Sequence, residues 1–434
     1  MASAQRVVWF LLAVSLLAGA VTGSQLYFRL SYLWALLLAG SWLMSALALR
    51  GVRVERTARS LRSQVGQLFE ERYRITNTSR LPRLWIEVRD ESPLPGSRGS
   101  HVLTLIGGNE SRTYLARTRL TRRGVFPLGP TVLGSGDLFG LFPVTRTFPG
   151  EETLLVYPMM ADLRSFPSPA GLLPGGEALR RRTAQITSNA AGVREYVTGD
   201  PINRIHWVST ARRDRLMVKE FELDPLAEVW IFLDGAASVQ AALPQPETEF
   251  NPLDVWRSRT KFTLPPSTEE YAVSAAASIA RYYIGKGRSV GLVAVGKSLH
   301  LLPSDRGGRQ LGKILEALAL LRAEGDVPLL GLVEAHARHL PRGSTVVLIT
   351  PGTTNEIIHA ADLLLRRGLR PVAVLLDPST FGGPFDNREI VLGMQAMNIP
   401  VCRISNGDDL GTVLSATGQL SAFPASMAPA AAEF

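Results

Sequence analysis

The side chains equipped for chemistry in this 434-residue chain are few. His206 and Asp200 lie close in sequence, Cys402 is the sole cysteine, and Arg180, Arg181, Arg182, Arg194, Arg204, Arg212, Arg213, Arg215 and Lys219 crowd into one stretch. Acid–base work would require the histidine and the carboxylate to converge, but their six-residue separation on a helix puts them on different faces. Nucleophile elbows, glycine-rich phosphate loops and zinc-ligand spacings do not occur in the sequence. Cys402 belongs to an apolar, strand-like run and reads as a buried hydrophobe, not a nucleophile. No catalytic residue is assigned, and the chain is expected not to be an enzyme. The cationic stretch can instead bind anions. Lipid headgroups suit it better than nucleic acid, because no nucleic-acid motif or set of stacking aromatics accompanies the charge.

All of these cations but Arg180 to Arg182 are positioned by the stretch from Gly192 to Asp224. Asp200-Pro201 predicts a helix start, with a carboxylate capping free N–H groups and proline at the first helical position. Ile202, Ile205, Trp207 and Val208 recur at roughly helical spacing, which predicts an apolar face with Trp207 as its buried anchor. Leu216 to Phe221 reads as a strand leading through a turn into a second apolar strand, Val229 to Leu233, and then Asp234.

The net charge of +9 is concentrated: residues 50 to 62 hold five Arg against one Glu, and residues 180 to 219 hold nine Lys and Arg against three acids. Ahead of the first cluster, Val7 to Val21 and Leu30 to Leu49 are apolar runs, the second long enough to cross ~30 Å of hydrocarbon at ~1.5 Å per residue. A cleavable signal peptide is the alternative for the first run, which is short and follows Arg6. A transmembrane hairpin over residues 1–50 is the simpler topology. Arg50, Arg53, Arg56, Arg59 and Arg62 then mark the cytoplasmic side, so a multi-pass cell-membrane protein with cytoplasmic soluble domains is expected. A single cysteine excludes an internal disulfide, as suits a reducing compartment.

Residues 51–160 read as an all-β, sandwich-like domain, with short alternating runs separated by Asn, Pro, Gly and Ser clusters. Residues 161–190, rich in Pro, Gly, Ser and Arg, read as a linker, and 191–224 is the basic segment. From 225 to 420, strands Val229 to Leu233, Ser289 to Val295, Thr345 to Thr350, Pro371 to Leu376 and Val401 to Ile404 alternate with helices near 269–286, 308–323 and 355–367, predicting an α/β domain with a parallel sheet. The insertion Gln240 to Thr268 is expected at the C-terminal strand edge, as a lid or partner loop. Residues 421–434, rich in Ala and Pro, are expected to be a disordered tail.

The order Gly192-x-Arg194-x-Tyr196-x-x-Gly199-Asp200, then Arg204-Ile205-x-Trp207, then Thr210-Ala211-Arg212, then Leu216-x-Val218-Lys219-x-Phe221-Glu222, resembles the signature of the domain of unknown function 58 family. His206 stands where that family often has an acidic residue. Arg122 to Pro130 and Asp137 to Phe142 resemble a segment the same family carries in its β domain; the residues themselves read as hairpin turns with aromatic core plugs. The α/β half resembles a von Willebrand factor type A (Rossmann-like) domain, whose first strand usually ends in Asp-x-Ser-x-Ser to ligate a divalent cation. Asp234 and Ser238 keep the outer positions, Ala236 replaces the middle hydroxyl, and Asp305 is the one further acid to nominate.

One carboxylate and one hydroxyl make a weak Mg2+ site. No cofactor is therefore expected, and Asp234→Ala is expected to shift the melting temperature little. The family resemblance implies association with a MoxR-type AAA+ ATPase, and hence a membrane-anchored scaffold or adaptor whose type A-like domain binds protein partners. Two alternatives remain open at this point: a divalent-metal-dependent enzyme or adhesion domain using Asp234, and a basic module for anionic lipid or nucleic acid.

Overall fold

The computed structural model describes residues 2–97, 99–167, 190–197, 205–221, 228–244 and 262–420. They fall into two compact units, one comprising Met1–Met159, Gln245–Leu264 and Leu318–Leu320, the other comprising Met160–Pro244, Pro265–Ala317 and Leu321–Phe434.

The first unit opens with helices α1 (Ala2–Thr22) and α2 (Gln25–Ala48), both long and apolar enough to cross a membrane. Gly23 turns the chain between them in the left-handed region, at φ 68°, where a side chain would be strained. Serines mark the seam: the hydroxyl oxygen of Ser31 lies 3.1 Å from that of Ser15 and 2.9 Å from the carbonyl oxygen of Tyr27.

A turn at Leu49 to Gly51 leads into strands β1 (Val52–Ala58), β2 (Arg62–Gln64), β3 (Leu68–Asn77), β4 (Arg83–Asp90), β5 (Ser100–Ile106), β6 (Ser111–Arg119), β7 (Gly124–Pro127), β8 (Thr131–Ser135), β9 (Val144–Phe148) and β10 (Thr153–Tyr157). The sheets β1-β3-β6 and β5-β4-β8-β9 meet across one core, with Val52, Tyr73 and Ile75 from the first against Ile86, Val88, Ile106 and Leu133 from the second. Strand β3 alternates buried and exposed residues, as a strand covered on one face must. A third sheet, β2-β10-β7, closes over Val65, Phe69, Leu120 and Leu154. Between β7 and β8 the ladder is interrupted at Pro130, which has no N–H to donate.

Asp137 follows β8 and organises a tight loop, its carboxylate accepting the backbone N–H of Phe139 at 3.0 Å, Leu141 at 3.1 Å and Phe142 at 2.7 Å. Leu141, not an aromatic residue as expected, is the buried plug there; Leu138 and Phe139 point out of the core.

The second unit holds a hairpin, β11 (Ala190–Glu195) with β12 (Met217–Phe221), around the short helix α3 (Trp207–Arg213), and then a larger α/β body. In that body β13 (Val229–Asp234), α4 (Thr268–Gly285), β14 (Val290–Val295), β15 (Leu299–Asp305), α5 (Gly308–Leu320), α6 (Leu329–His336), β16 (Thr345–Thr350), α7 (Glu356–Arg366), β17 (Arg370–Leu376), α8 (Arg388–Ala396), β18 (Val401–Ile404) and α9 (Leu410–Leu420) follow in order.

The six-stranded sheet runs β15-β14-β13-β16-β17-β18, all parallel except the edge strand β15. Its central strands are continuous apolar runs because helices cover both faces. On α7, Ile357, Ala360, Ala361 and Leu364 form the buried stripe, at helical spacing.

Three expectations change here. Residues 161–167, assigned to a linker, run along the α/β body: Ala161 N–H donates to Ser278, Arg164 N–H donates to Ser415, and Phe166 meets the ring of Tyr283 edge-on. Strand β15 was not anticipated, because Pro303 interrupts its alternation. Helices α6, α8 and α9 were also missed; the first two are each nine residues or fewer, so their apolar period is short. The remainder of the expected linker and the expected disordered tail lie outside the described residues.

Candidate functional site

Asp234 ends the central strand β13, next to the end of β16, on the edge of the sheet where the strand order reverses. Open α/β sheets bind ligands at such an edge. Gly235 lets the chain leave the strand, since a Cβ there would lie 2.1 Å from the carbonyl oxygen of Val295.

The carboxylate is 4% exposed, and each of its oxygens accepts one hydrogen bond. Oδ2 accepts the Thr350 hydroxyl at 2.7 Å, and Oδ1 accepts the N–H of Ala236 at 3.1 Å. Thr350 Oγ1 in turn accepts the N–H of Gly352 at 2.9 Å. Gln240 donates to the Asp234 carbonyl at 3.2 Å and accepts the hydroxyl of Thr268, the first residue of α4, at 2.7 Å. Burial pushes the Asp234 carboxyl above the ordinary carboxylate range, with the bonds from Thr350 and Ala236 pulling it part of the way back.

This donor set is sparse for a divalent cation, which takes about six or more oxygen ligands. Each carboxylate oxygen already faces a donor proton, Ala236 offers no side-chain oxygen, and Ser238 lies exposed on the following 3-10 turn. Asp305, nominated as a further ligand, is at the wrong end of the sheet. Because β15 runs back antiparallel to β14, Asp305 pairs with Val290 while Asp234 pairs with Val295. Among the described residues no cluster of three or more His, Cys, Asp or Glu is placed to hold a metal. Most of the insertion expected as a lid or partner loop, residues 245–261, lies outside the described residues.

A second polar cluster at the same sheet edge was not read from the sequence. Asp377, directly after β17, accepts Arg403 at 2.5 Å and the Ser379 hydroxyl at 2.7 Å. Arg403 also donates to Asn387, whose amide donates to the Leu376 carbonyl. The available signal was Asp377-Pro378 after an apolar strand, which resembles any strand-end turn. These bonds fasten β17, β18 and the start of α8 together.

The basic segment is built differently. Ile205 bridges to Val218, and the N–H of His206 donates to the Met217 carbonyl at 2.7 Å. Helix α3 therefore starts at Trp207, with His206 as its cap, accepting the Ser209 N–H through Nδ1 at 3.2 Å; the helix start expected at Asp200-Pro201 lies outside the described residues. Thr210 Oγ1 accepts the Met217 N–H, and the N–H of Tyr196 donates to the Leu216 carbonyl. Ile205, Met217 and Val218 form the buried side of this unit. Trp207 is not the anchor: it is 64% exposed, and Val208 beside it is 60% exposed. Helix α3 has only two turns, and its buried contacts fall to the extended residue before it and the strand after it.

Arg212 and Arg213 occupy the last turn of α3, exposed and favourably placed against the helix dipole. Arg215 pairs with Glu195 at the surface, at 2.9 Å. Gly199, Asp200, Arg204 and Glu222 lie outside the described residues; Gly192, Arg194 and Lys219 lie on the paired strands β11 and β12. Cys402 is buried on β18.

The family model described as "Protein of unknown function DUF58" matches residues 192–379, from β11 to just past β17. A similar curated protein is "Uncharacterized protein YeaD" of Bacillus subtilis (strain 168), 24% identical over 230 residues, which cover 53% of this chain and 51% of that one. The chain thus spans about half the length of this relative. Among solved structures, the CARDB domain of the PF1109 protein from Pyrococcus furiosus aligns with 24% of this chain and 91% of its own, at 15% identity and a TM-score of 0.18. The C-terminal domain of wzt aligns with 25% of this chain and 75% of its own, at 8% identity and a TM-score of 0.20. Similarities this slight carry no functional argument.

Proposed function

We propose that the chain is a membrane-anchored, non-enzymatic adaptor. In this reading α1 and α2 are the anchor, the soluble parts face the cytoplasm, and the outer face of α3 docks a protein partner. The α/β body is read as a von Willebrand factor type A-like domain that works without a cofactor. That reading is supported by the strand order around β13, the single antiparallel edge, and a strand-end carboxylate bonded to its own chain instead of being left open for a cation.

The observation that carries the proposal is the exposure of Trp207 and Val208 beside Arg212 and Arg213. Tryptophan and arginine are the residues most enriched where binding energy concentrates in interfaces. The helix is held from behind by hydrogen bonds to Met217, so the face is presented without having to be ordered on binding. The resemblance of the segment suggests a MoxR-type AAA+ ATPase as the partner.

Photo-crosslinking tests this in the intact, membrane-embedded chain, with a benzophenone amino acid at position 207. A crosslink to the MoxR-type ATPase of the same organism is expected. Crosslinks confined to lipid or to nucleic acid would instead assign the arginine face to headgroups or to nucleic acid.

A further inference from the structure

Leu138 and Phe139 are 67% and 64% exposed, although they sit at the tip of a loop that is otherwise tightly determined. The loop lies against α2: together with Leu33, Leu36, Leu37, Gly40, Ser41 and Met44, these two side chains line an apolar groove. Its height on the helix is fixed, because Ser45 donates to the Phe142 carbonyl at 2.5 Å.

Leu37 and Gly40 precede Ser45 by eight and five residues. At a rise of ~1.5 Å per residue, the apolar tip reaches ~7–12 Å along α2 from the Ser45 level, away from β1 and toward the middle of the span. The only charged side chain in the loop, Asp137, stays behind at its base with its carboxylate satisfied by three backbone N–H groups. Gly140 turns the tip at φ 67°. Leu138 and Phe139 thus continue the exposed apolar face of α2, where Leu36 is 74% exposed.

We propose that the Asp137–Phe142 loop is a second membrane contact: Leu138 and Phe139 insert beside α2, and phospholipid acyl chains fill the groove between them. The insertion seats the β-rich domain on the bilayer in one orientation, which two helices ending in a turn would not do by themselves. A loop of this kind suits the boundary between headgroup and hydrocarbon, since the N–H groups of Phe139 to Phe142 are bonded within the loop and the Phe142 carbonyl to α2, while its tip is wholly apolar.

The inference rests on the membrane reading of α1 and α2, and one experiment separates the two. In a Cys402→Ala background, spin labels are placed singly by Leu36→Cys, Leu115→Cys, Leu138→Cys and Phe139→Cys in the full chain reconstituted in phosphatidylcholine–phosphatidylglycerol nanodiscs. All but Cys402 are exposed side chains, so labelling leaves the core intact. Accessibility to oxygen relative to a water-soluble nickel chelate is then read at each site. The ratio at 138 and 139 is expected to match that at 36 and to exceed severalfold that at 115, on a strand of the β-rich domain. A hydrocarbon reading at 36 with water-like readings at both 138 and 139 overturns the insertion and leaves the anchor standing. A water-like reading at 36 overturns the anchor and the insertion together.

Discussion

Replacing Asp234 by alanine and by asparagine should have very different effects. Alanine leaves two buried donors, the Thr350 hydroxyl and the Ala236 N–H, without their acceptor. Each such orphan costs ~1–3 kcal/mol, and relief from burying a carboxylate offsets part of this, so Asp234→Ala should cost about 2–4 kcal/mol. The small effect expected from sequence alone followed from the weakness of the metal site and left these two hydrogen bonds out of account. Asparagine keeps an oxygen for the Ala236 N–H and offers an N–H to Thr350, so Asp234→Asn should cost about 1 kcal/mol or less at neutral pH.

The two variants also differ in pH response. The folded state raises the Asp234 carboxyl above its ordinary value, so its contribution is full below the ordinary carboxylate pKa and declines as pH rises through the folded value. Asparagine has no proton to lose, so the advantage of wild type over Asp234→Asn should shrink with rising pH. Hydrogen exchange in peptides covering β13 and β16 reads the local opening free energy without assuming that the whole multidomain chain unfolds in one step. Equal losses for alanine and asparagine would refute the hydrogen-bond argument. Slowed exchange with millimolar Mg2+ in wild type but not in Asp234→Asn would show the carboxylate to be a ligand after all.

Three other outcomes follow from named contacts. Trp207→Ala should change stability by no more than ~0.5 kcal/mol, measured by the same exchange on β12 peptides, because the ring is mostly in water; a loss of several kcal/mol would mean that it is enclosed. Arg56 donates to Glu71 at 2.7 and 2.9 Å and to Asp90 at 3.1 and 3.0 Å in a nearly dry site, so Arg56→Ala should cost about 3–5 kcal/mol in exchange on β3 and β4 peptides, with only partial rescue by lysine, which lacks the planar fork. A cytoplasm-dependent reporter fused after Arg62 should be active; activity only of an export-dependent reporter would reverse the orientation.

Much of the architecture is legible because it is written in simple periods. The unbroken apolar strands Val229–Asp234 and Thr345–Thr350 and the stripe on α7 declare a buried sheet with helices on it. The two N-terminal helices are equally plain from length and composition. What the sequence conceals is where a residue of familiar type ends up. Ile205 falls at helical spacing with Val208, beside Trp207, yet Ile205 is extended and buried while Val208 and the indole are outside, because a cross-strand bridge to Val218 overrides the helical period. Asp305 is close to the second strand of the sheet in sequence but at its far end in space, since an antiparallel hairpin reverses the chain. Leu138 and Phe139 look like core plugs by type; only their height against α2 separates them from Leu141.

The claim that the α3 face is a docking surface is tested most directly by affinity. Chain held in nanodiscs would be titrated with the purified MoxR-type ATPase of the same organism, as wild type and as a Trp207→Ala, Arg212→Glu double variant whose exchange pattern is otherwise unchanged. Loss of a tryptophan hot spot and reversal of a neighbouring charge should raise Kd by ~10-fold or more, corresponding to at least ~1.4 kcal/mol. An unchanged Kd for the double variant, or no binding by the wild type, would contradict the account.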